Sequence, residues 1–386
     1  MPDPHVVTGR TRWPRRRVLT ISHSYCVELN RRLPQELARL GEWEVTVVAP
    51  LHFRGDFEWH STTSHAEEPC QVVPVPVHFS NRVHTMLYGS AVTRLLREPW
   101  DVVHCWEEPY VAASGQIARA AALRVPLVFA TFQNIVKRYP PPFNWIERSA
   151  MRRADGVIAF GHTARHVLEA RGWQQPARTI PPGVDVEGFR PDPGQRARIR
   201  QTFGWTDAAP VIGFLGRFVP EKGLTLLMDV LDRIETPWRA LFVGSGPLDS
   251  ALRTWGRRHG DRVRVQRAAS HEEVPAYLNA MDLLCAPSQT TGRWREQFGR
   301  MLIEAFSCGV PVLASSSGEI PHVVADAGIV IEEHDLDAWV RTISALLADP
   351  DRRADLSRRG RDRAVSTYAW PIVARQHADF FGELMR

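Results

Sequence analysis

Lysine is nearly missing from this chain. Two, Lys137 and Lys222, stand against 46 arginines in 386 residues. A chain so committed to arginine keeps lysine where a compact ammonium serves better than a planar fork, and both lysines fall in segments singled out below on other grounds. Cysteine is scarce too. The five thiols, at 26, 70, 105, 285 and 308, form no close pairs, and several sit in apolar strand-like runs. That spacing excludes a disulfide framework or a zinc module and points to buried thiols in a reducing cytosol. No apolar run approaches the ~18 residues a spanning helix needs, and the first residues lack a signal-peptide stretch, so a cytoplasmic location is expected. The net charge of +5 invites a nucleic-acid reading. The basic residues are spread along the chain, however, with no lysine-rich tail and no nucleic-acid module, so no such partner is expected. The densest cluster, RTRWPRRR at 10–17, reads as an exposed N-terminal arm that either touches anionic lipid at a membrane surface or is simply solvated.

What is present fits two cores rather than one. The length exceeds an ordinary single domain, and a hydrophobic content of 44% supports real interiors. Short β-rich runs at 17–22, 44–50, 72–79, 101–106, 126–132 and 156–160 alternate with helical patterns such as 30–40 and 112–123. A second series follows the Pro/Gly-rich IPPGVDVEGFRPDPG (180–194), with runs at 211–217, 240–246, 262–265, 283–288, 311–316 and 328–332. Such alternation indicates parallel sheets covered by helices. The expected class is α/β: two Rossmann-like, doubly wound domains over 1–190 and 191–369, with ligands beyond the carboxyl ends of the strands.

Two carboxylates dominate the second half. In WREQFGRMLIEAFSCGVPVLAS, Glu296 precedes a turn at Phe298-Gly299, a buried helix is expected over 301–306, and Gly309 is placed to end it. Glu304 then stands among Met301, Leu302, Ile303, Ala305 and Phe306. A buried carboxylate is costly unless paired or hydrogen-bonded, so either a polyhydroxylated ligand such as a ribose or an arginine across the core is needed. FLGRFVPEKGL (214–224) sets Arg217 and Lys222 around a strand-to-helix turn, with Gly216 and Gly223 permitting close approach by an anion. FVGSGP (242–247), with Gly244 and Gly246, is another strand-to-glycine turn.

These motifs resemble the family 4 glycosyltransferases, retaining enzymes of the GT-B fold, strongly from about Ile158 onward and more loosely before it. The resemblance implies two sheet domains facing across a cleft, acceptor on the first and nucleotide-sugar donor on the second. It also implies that the last segment, 370–386, is a terminal helix returning to the first domain. It places Glu296 at the donor sugar, Glu304 at the ribose, and Phe298 and Gly299 amides at the diphosphate. Arg217 and Lys222 neutralise the leaving group, beside the Val-Gly-x-Gly-Pro turn of Gly244 and Gly246. SSSGEIPHVV (315–324) resembles the loop after the Gly-x-Pro-Val strand, with Glu319 after a single glycine. No metal and no cofactor are expected, because paired cations take the place of the ion that an Asp-x-Asp site would hold.

The acceptor side says less. Ser22, His23, Ser24 and Tyr25 end the first strand where many relatives have a glycine-rich loop. Gln133 stands where some members have histidine; it can hydrogen-bond but cannot take a proton. Asn134 and Lys137 follow it, and Glu107 and Glu108 close another strand. His104 and His162 read as core or turn histidines. The expected function is transfer of a hexosyl group from a UDP- or GDP-sugar to a glycan, lipid-linked or small-molecule acceptor, in polysaccharide, glycolipid or cell-envelope biosynthesis. A GT-B nucleotide-sugar epimerase and a non-catalytic sugar-nucleotide-binding protein are the competing readings.

Overall fold

A computed structural model describes residues 15–54, 59–267 and 270–386. The chain divides into two compact units. One holds the described residues up to Val128 with Trp145–Ala154 and Phe381–Arg386; the other holds Phe129–Asn144 and Asp155–Phe380.

The strands assemble into a seven-stranded and a six-stranded sheet, with two small antiparallel hairpins. From edge to edge the larger sheet runs Ala177–Thr179, Gly156–Ala159, Leu127–Thr131, Val102–Cys105, Arg16–Ile21, Trp43–Pro50 and Gln71–Val75. The smaller runs Val263–Gln266, Arg239–Val243, Val211–Leu215, Leu283–Ala286, Val312–Ser315 and Ile329–Ile331. Both are parallel, as the alternation of runs and helices required. Most of the expected strands form within a residue or two of the apolar runs; the run 240–246 ends at Val243, before its glycine turn.

Two departures have physical causes. The run 72–79 breaks at Pro76, which has no N–H to continue the ladder. Val77–His78 instead pairs antiparallel with Leu87–Tyr88. His52–Arg54 and Trp59–Ser61 form the second hairpin, too short and polar to show a period of two.

Strand alternation builds the core of the second unit on both faces of its sheet. Val211, Leu241, Val243, Leu284, Val312 and Ala314 point to one side, where helix Arg300–Ser307 lays down Leu302, Ile303 and Phe306. Ile212, Phe214, Phe242, Leu283, Cys285 and Leu313 point to the other, under Trp339, Ile343 and Leu346 of helix Leu336–Ala348. The Pro/Gly-rich 180–194 is not a loose tether. Ile180, Val184 and Phe189 are buried, and the Val184 amide donates to the Tyr368 carbonyl at 2.8 Å.

In the first unit Phe381, from the terminal helix Trp370–Leu384, packs edge-on against Trp43 at 5.8 Å. The basic cluster needs correction. Residues 10–14 lie outside the described residues, but Arg16 and Arg17 belong to the first strand rather than to an arm. Arg17 stacks on Trp100 at 4.3 Å and donates to the Pro99 carbonyl at 2.9 Å. All five cysteines are buried free thiols; burial pushes Cys70 up to about 12. Among the described residues no helix is long and apolar enough to cross a membrane.

Candidate functional site

Three strand ends of the second unit converge on Glu296. Lys222, in the turn after strand Val211–Leu215, places its ammonium 2.5 Å from Glu296 Oε2. Ser288, beyond strand Leu283–Ala286, donates to the same oxygen at 2.8 Å. Ser317, beyond strand Val312–Ser315, accepts from the Glu296 amide at 3.4 Å. The Glu296 carbonyl in turn accepts from Asn134 Nδ2 at 2.9 Å and from the Glu319 amide at 3.0 Å. Side chains of Lys222 and Glu296 are only 12% and 8% exposed. The pair is therefore held in a poorly solvated place, and the Lys222 ammonium also lies 5.4 Å from the Trp294 ring. Its remaining N–H donors are available to an anion.

Backbone proximity explains the glycines. A Cβ on Gly318 would sit 2.0 Å from the Glu296 carbonyl oxygen, so only glycine, here at φ +56°, fits that loop beneath the carboxylate. The turns after two adjacent strands press together likewise: a Cβ on Gly244 would lie 1.9 Å from the Gly216 carbonyl. Gly246 packs against Phe218, whose amide donates to the Ser245 carbonyl at 2.8 Å. Arg217, in the first of these turns, is exposed, and none of the described residues pairs with its guanidinium. It is a cation presented to solvent, unlike Lys222.

Gly299 stands at the N-cap of helix Arg300–Ser307, and Phe298 is buried before it. One helical turn in, Glu304 is 7% exposed, and none of the described residues donates a hydrogen bond to its carboxylate. Among the described residues no arginine crosses the core to meet it. Arg300 on its own helix is 3.7 Å away and half in solvent. Burial pushes the Glu304 carboxyl up, and Arg300 offsets only part of that. A buried carboxylate without a donor is a position a hydroxylated ligand can satisfy.

The acceptor-side candidates divide between the units. In the first, His23 and Glu107 meet. The buried Glu107 carboxylate accepts from the His23 amide at 2.6 Å, touches His23 Nδ1 at 2.6 Å, and accepts from the Tyr88 hydroxyl at 3.1 Å. Burial works against charge on the His23 imidazole, but the charge and hydrogen bond of Glu107 outweigh it and its pKa is raised. Ser22 caps the short turn His23–Cys26. Tyr25 is buried, its hydroxyl 2.8 Å from Thr20, so it belongs to the core rather than to an open face. In the second unit Gln133 donates to the Tyr139 hydroxyl at 2.7 Å. Asn134 is buried and gives its side-chain amide to the Glu296 carbonyl. Lys137 is exposed, with its carbonyl on Arg171.

Some supporting residues had little signal in the sequence. Glu319, seen only as a variation in the serine-rich loop, is buried and caps helix His162–Ala170. Its carboxylate accepts from the His162 amide at 2.6 Å and the Thr163 amide at 2.7 Å. Glu333 accepts from Thr290 Oγ1 at 2.6 Å, which lies 3.0 Å from Ser317 Oγ. An acid just past an apolar strand was the only hint. The chain does contain Asp-x-Asp spacings, at 335–337 and 349–351. In both, the first aspartate caps a helix, receiving the amides of Ala338 and Arg352 at 2.8 Å. Among the described residues one trio has metal-ligand spacing, Glu28, His65 and Glu68. The buried Arg31 guanidinium already lies 2.9 Å from Glu68 and 3.9 Å from Glu28, where a cation would stand.

Residues 195–363 match the family described as Glycosyl transferases group 1, and residues 28–187 that described as Glycosyltransferase Family 4. The chain is 34% identical over 343 residues to the GDP-mannose-dependent alpha-(1-6)-phosphatidylinositol monomannoside mannosyltransferase of Mycolicibacterium smegmatis, covering 85% of this chain and 87% of that protein. It is 30% identical over 259 residues to the D-inositol 3-phosphate glycosyltransferase of Salinispora tropica, covering 61% and 52%. Among solved structures, the Anabaena protein HepE in complex with UDP superposes with a TM-score of 0.73 at 19% identity, over 96% of this chain and all of that one. That likeness is one of fold.

Proposed function

Because this chain belongs to the group 1 glycosyl transferases of family 4 and has their GT-B fold, we propose that it moves a mannosyl residue from GDP-mannose, with retention, onto an inositol-phosphate-bearing lipid acceptor of the cell envelope. The observation that carries this reading is the Lys222–Glu296 pair at 2.5 Å, fixed by Ser288, Asn134 and Glu319. The choice of donor and acceptor rests on the 34% identical relative.

In this reading residues 191–369 carry the donor side and 1–190 the acceptor side. Departure of GDP leaves positive charge on the sugar ring and negative charge on the diphosphate. Lys222 and Arg217 meet the negative charge, with the first amides of helix Arg300–Ser307, each preorganised donor lowering the barrier by about one to several kcal/mol. Glu296 faces the ring, oriented so that the acceptor attacks on the face the diphosphate leaves. Glu304 accepts from the ribose hydroxyls. No metal is required, because the two cations neutralise the diphosphate. The acceptor is met at the cytosolic membrane surface, where residues 10–14 offer further positive charge. The test is incubation of the purified chain with GDP-mannose and, separately, UDP-glucose and UDP-galactose, each with phosphatidylinositol vesicles. Mannose incorporation from GDP-mannose is expected; transfer from a UDP-sugar alone would refute the donor assignment.

A further inference from the structure

Helix His162–Ala170 has no cap of its own. The residue before it, Gly161, carries no side chain, so the first amides of the helix lack a local acceptor. The acceptor comes instead from a residue 157 positions away. Glu319 Oε1 accepts from the His162 amide at 2.6 Å. Its Oε2 accepts from the Thr163 amide at 2.7 Å and from the Thr163 hydroxyl at 2.6 Å. Gly161 is what admits the carboxylate, because a Cβ there would fall 2.4 Å from Glu319 Cδ. A serine or aspartate at 161 would cap the helix as well, just as Asp192 caps helix Pro193–Thr202. A remote cap stands where a local one would serve the helix equally, so helix stability alone does not account for the arrangement.

The same residue holds the Glu296 segment. The Glu319 amide donates to the Glu296 carbonyl at 3.0 Å, and Asn134 Nδ2 donates to that carbonyl at 2.9 Å. Gln297 Nε2 donates to the Phe132 carbonyl at 3.1 Å. Phe132 stacks on Phe160 at 3.7 Å, and Phe160 directly precedes Gly161. The bonds to Glu296 and the helix cap therefore rest on the ends of two neighbouring strands, Leu127–Thr131 and Gly156–Ala159. Further along the loop, the His322 ring lies against His162 at 4.6 Å. A carboxylate receiving three short charge-assisted bonds is a stiff anchor, and Glu319 is only 2% exposed.

We propose that Glu319 is a positioning residue for transfer: its carboxylate, locked on helix His162–Ala170, fixes the Glu296 carbonyl and with it the reach of the Glu296 carboxylate to the donor sugar. The inference rests on the transferase reading above, since only that reading gives Glu296 a sugar to face. GDP lacks the sugar, so its binding does not depend on that reach.

The test uses the full chain and separates the tether from the cap. Glu319→Ala should lower kcat for mannosyl transfer by about tenfold or more, while GDP affinity by calorimetry stays within about twofold of wild type. Adding Gly161→Ser returns a local cap. The double variant should regain thermal stability and keep the low kcat. Recovery of kcat along with stability would reduce Glu319 to a helix cap and overturn the proposal. In a Glu296→Gln background, Glu319→Ala should lower kcat little further; an undiminished effect would show that it acts through another group, and overturns the proposal too. Thr163→Val removes one of the three bonds and should show the same changes in smaller measure, even where Glu319→Ala does not fold. Hydrogen exchange read by mass spectrometry reports on the tether without turnover. Amides of 288–298 should exchange faster in the Glu319→Ala and Thr163→Val variants than in wild type, and unchanged exchange overturns the tether. Faster exchange with an unchanged kcat overturns the positioning role and leaves the transferase reading standing. No transfer from GDP-mannose by wild type refutes that reading, and with it the catalytic purpose of the tether.

Discussion

The two cations of the donor side stand in different states, and their variants should differ accordingly. Arg217 is exposed and unpaired among the described residues, so Arg217→Ala should leave thermal unfolding unchanged while weakening GDP binding. Lys222 is the buried counterion of Glu296. Removing it strands a carboxylate, which costs on the order of 3 kcal/mol. Lys222→Ala should thus lose stability as well as turnover, and adding Glu296→Gln should restore much of the stability. An unchanged melting temperature in Lys222→Ala would contradict the pairing. Glu304 makes the opposite case. Its folded-state pKa is raised by burial, so it stabilises the fold most below its ordinary range and disfavours it as pH rises through the raised value. Glu304→Gln should therefore stabilise the ligand-free protein at neutral pH by roughly 1 kcal/mol, the lower end of the cost of a buried group left without a partner. GDP binding should fall about tenfold, as expected on losing a charged acceptor to a hydroxyl. Differential scanning beside calorimetry checks both; a less stable variant with intact GDP affinity would remove the ribose assignment. From sequence, Glu296 and Glu304 stand out because acids in an apolar helical segment need a reason. Lys222 stands out too, but its pairing with Glu296 does not, because the two lie 74 positions apart and no local pattern links them.

At the scale of elements, the parallel strands were legible because each is a short apolar run between turn residues. The edge strand Ala177–Thr179 and the two hairpins were not. They are held by pairing to neighbours rather than by a buried face of their own. Asn134 shows the same limit: its residue type invited a ligand role, while its place at the end of strand Leu127–Thr131 gives it the Glu296 carbonyl. The terminal helix Trp370–Leu384 carries a prediction of its own. His377 is fully buried there, near the Val373 carbonyl at 2.8 Å, and burial lowers its pKa to about 4. Its stabilising contribution is complete above the unfolded value of 6.5 and is lost as pH falls toward 4, by about 3 kcal/mol in all. His377→Gln keeps a donor for that carbonyl and cannot charge. It should flatten the loss of stability between pH 6.5 and 4 in chemical denaturation curves, and an unchanged slope would show that other groups govern it.

The whole molecule was more legible than its contacts. Length, alternating runs and glycine-bearing strand ends specified two parallel sheets, and the spacing of Glu296, Gly299 and Glu304 specified the family. Donor sugar and acceptor had no such signature and come from similarity to one relative's activity. If Lys222 and Arg217 suffice to neutralise the diphosphate, turnover should persist in excess EDTA; loss restored by magnesium or manganese would show that a metal is needed. The central claim is retaining mannosyl transfer from GDP-mannose. Its most direct test is the anomeric configuration of the newly formed mannoside, read by NMR from the carbon–proton coupling at the anomeric centre of product made with GDP-α-mannose. Retention gives an α-mannoside, and a β-mannoside would contradict it.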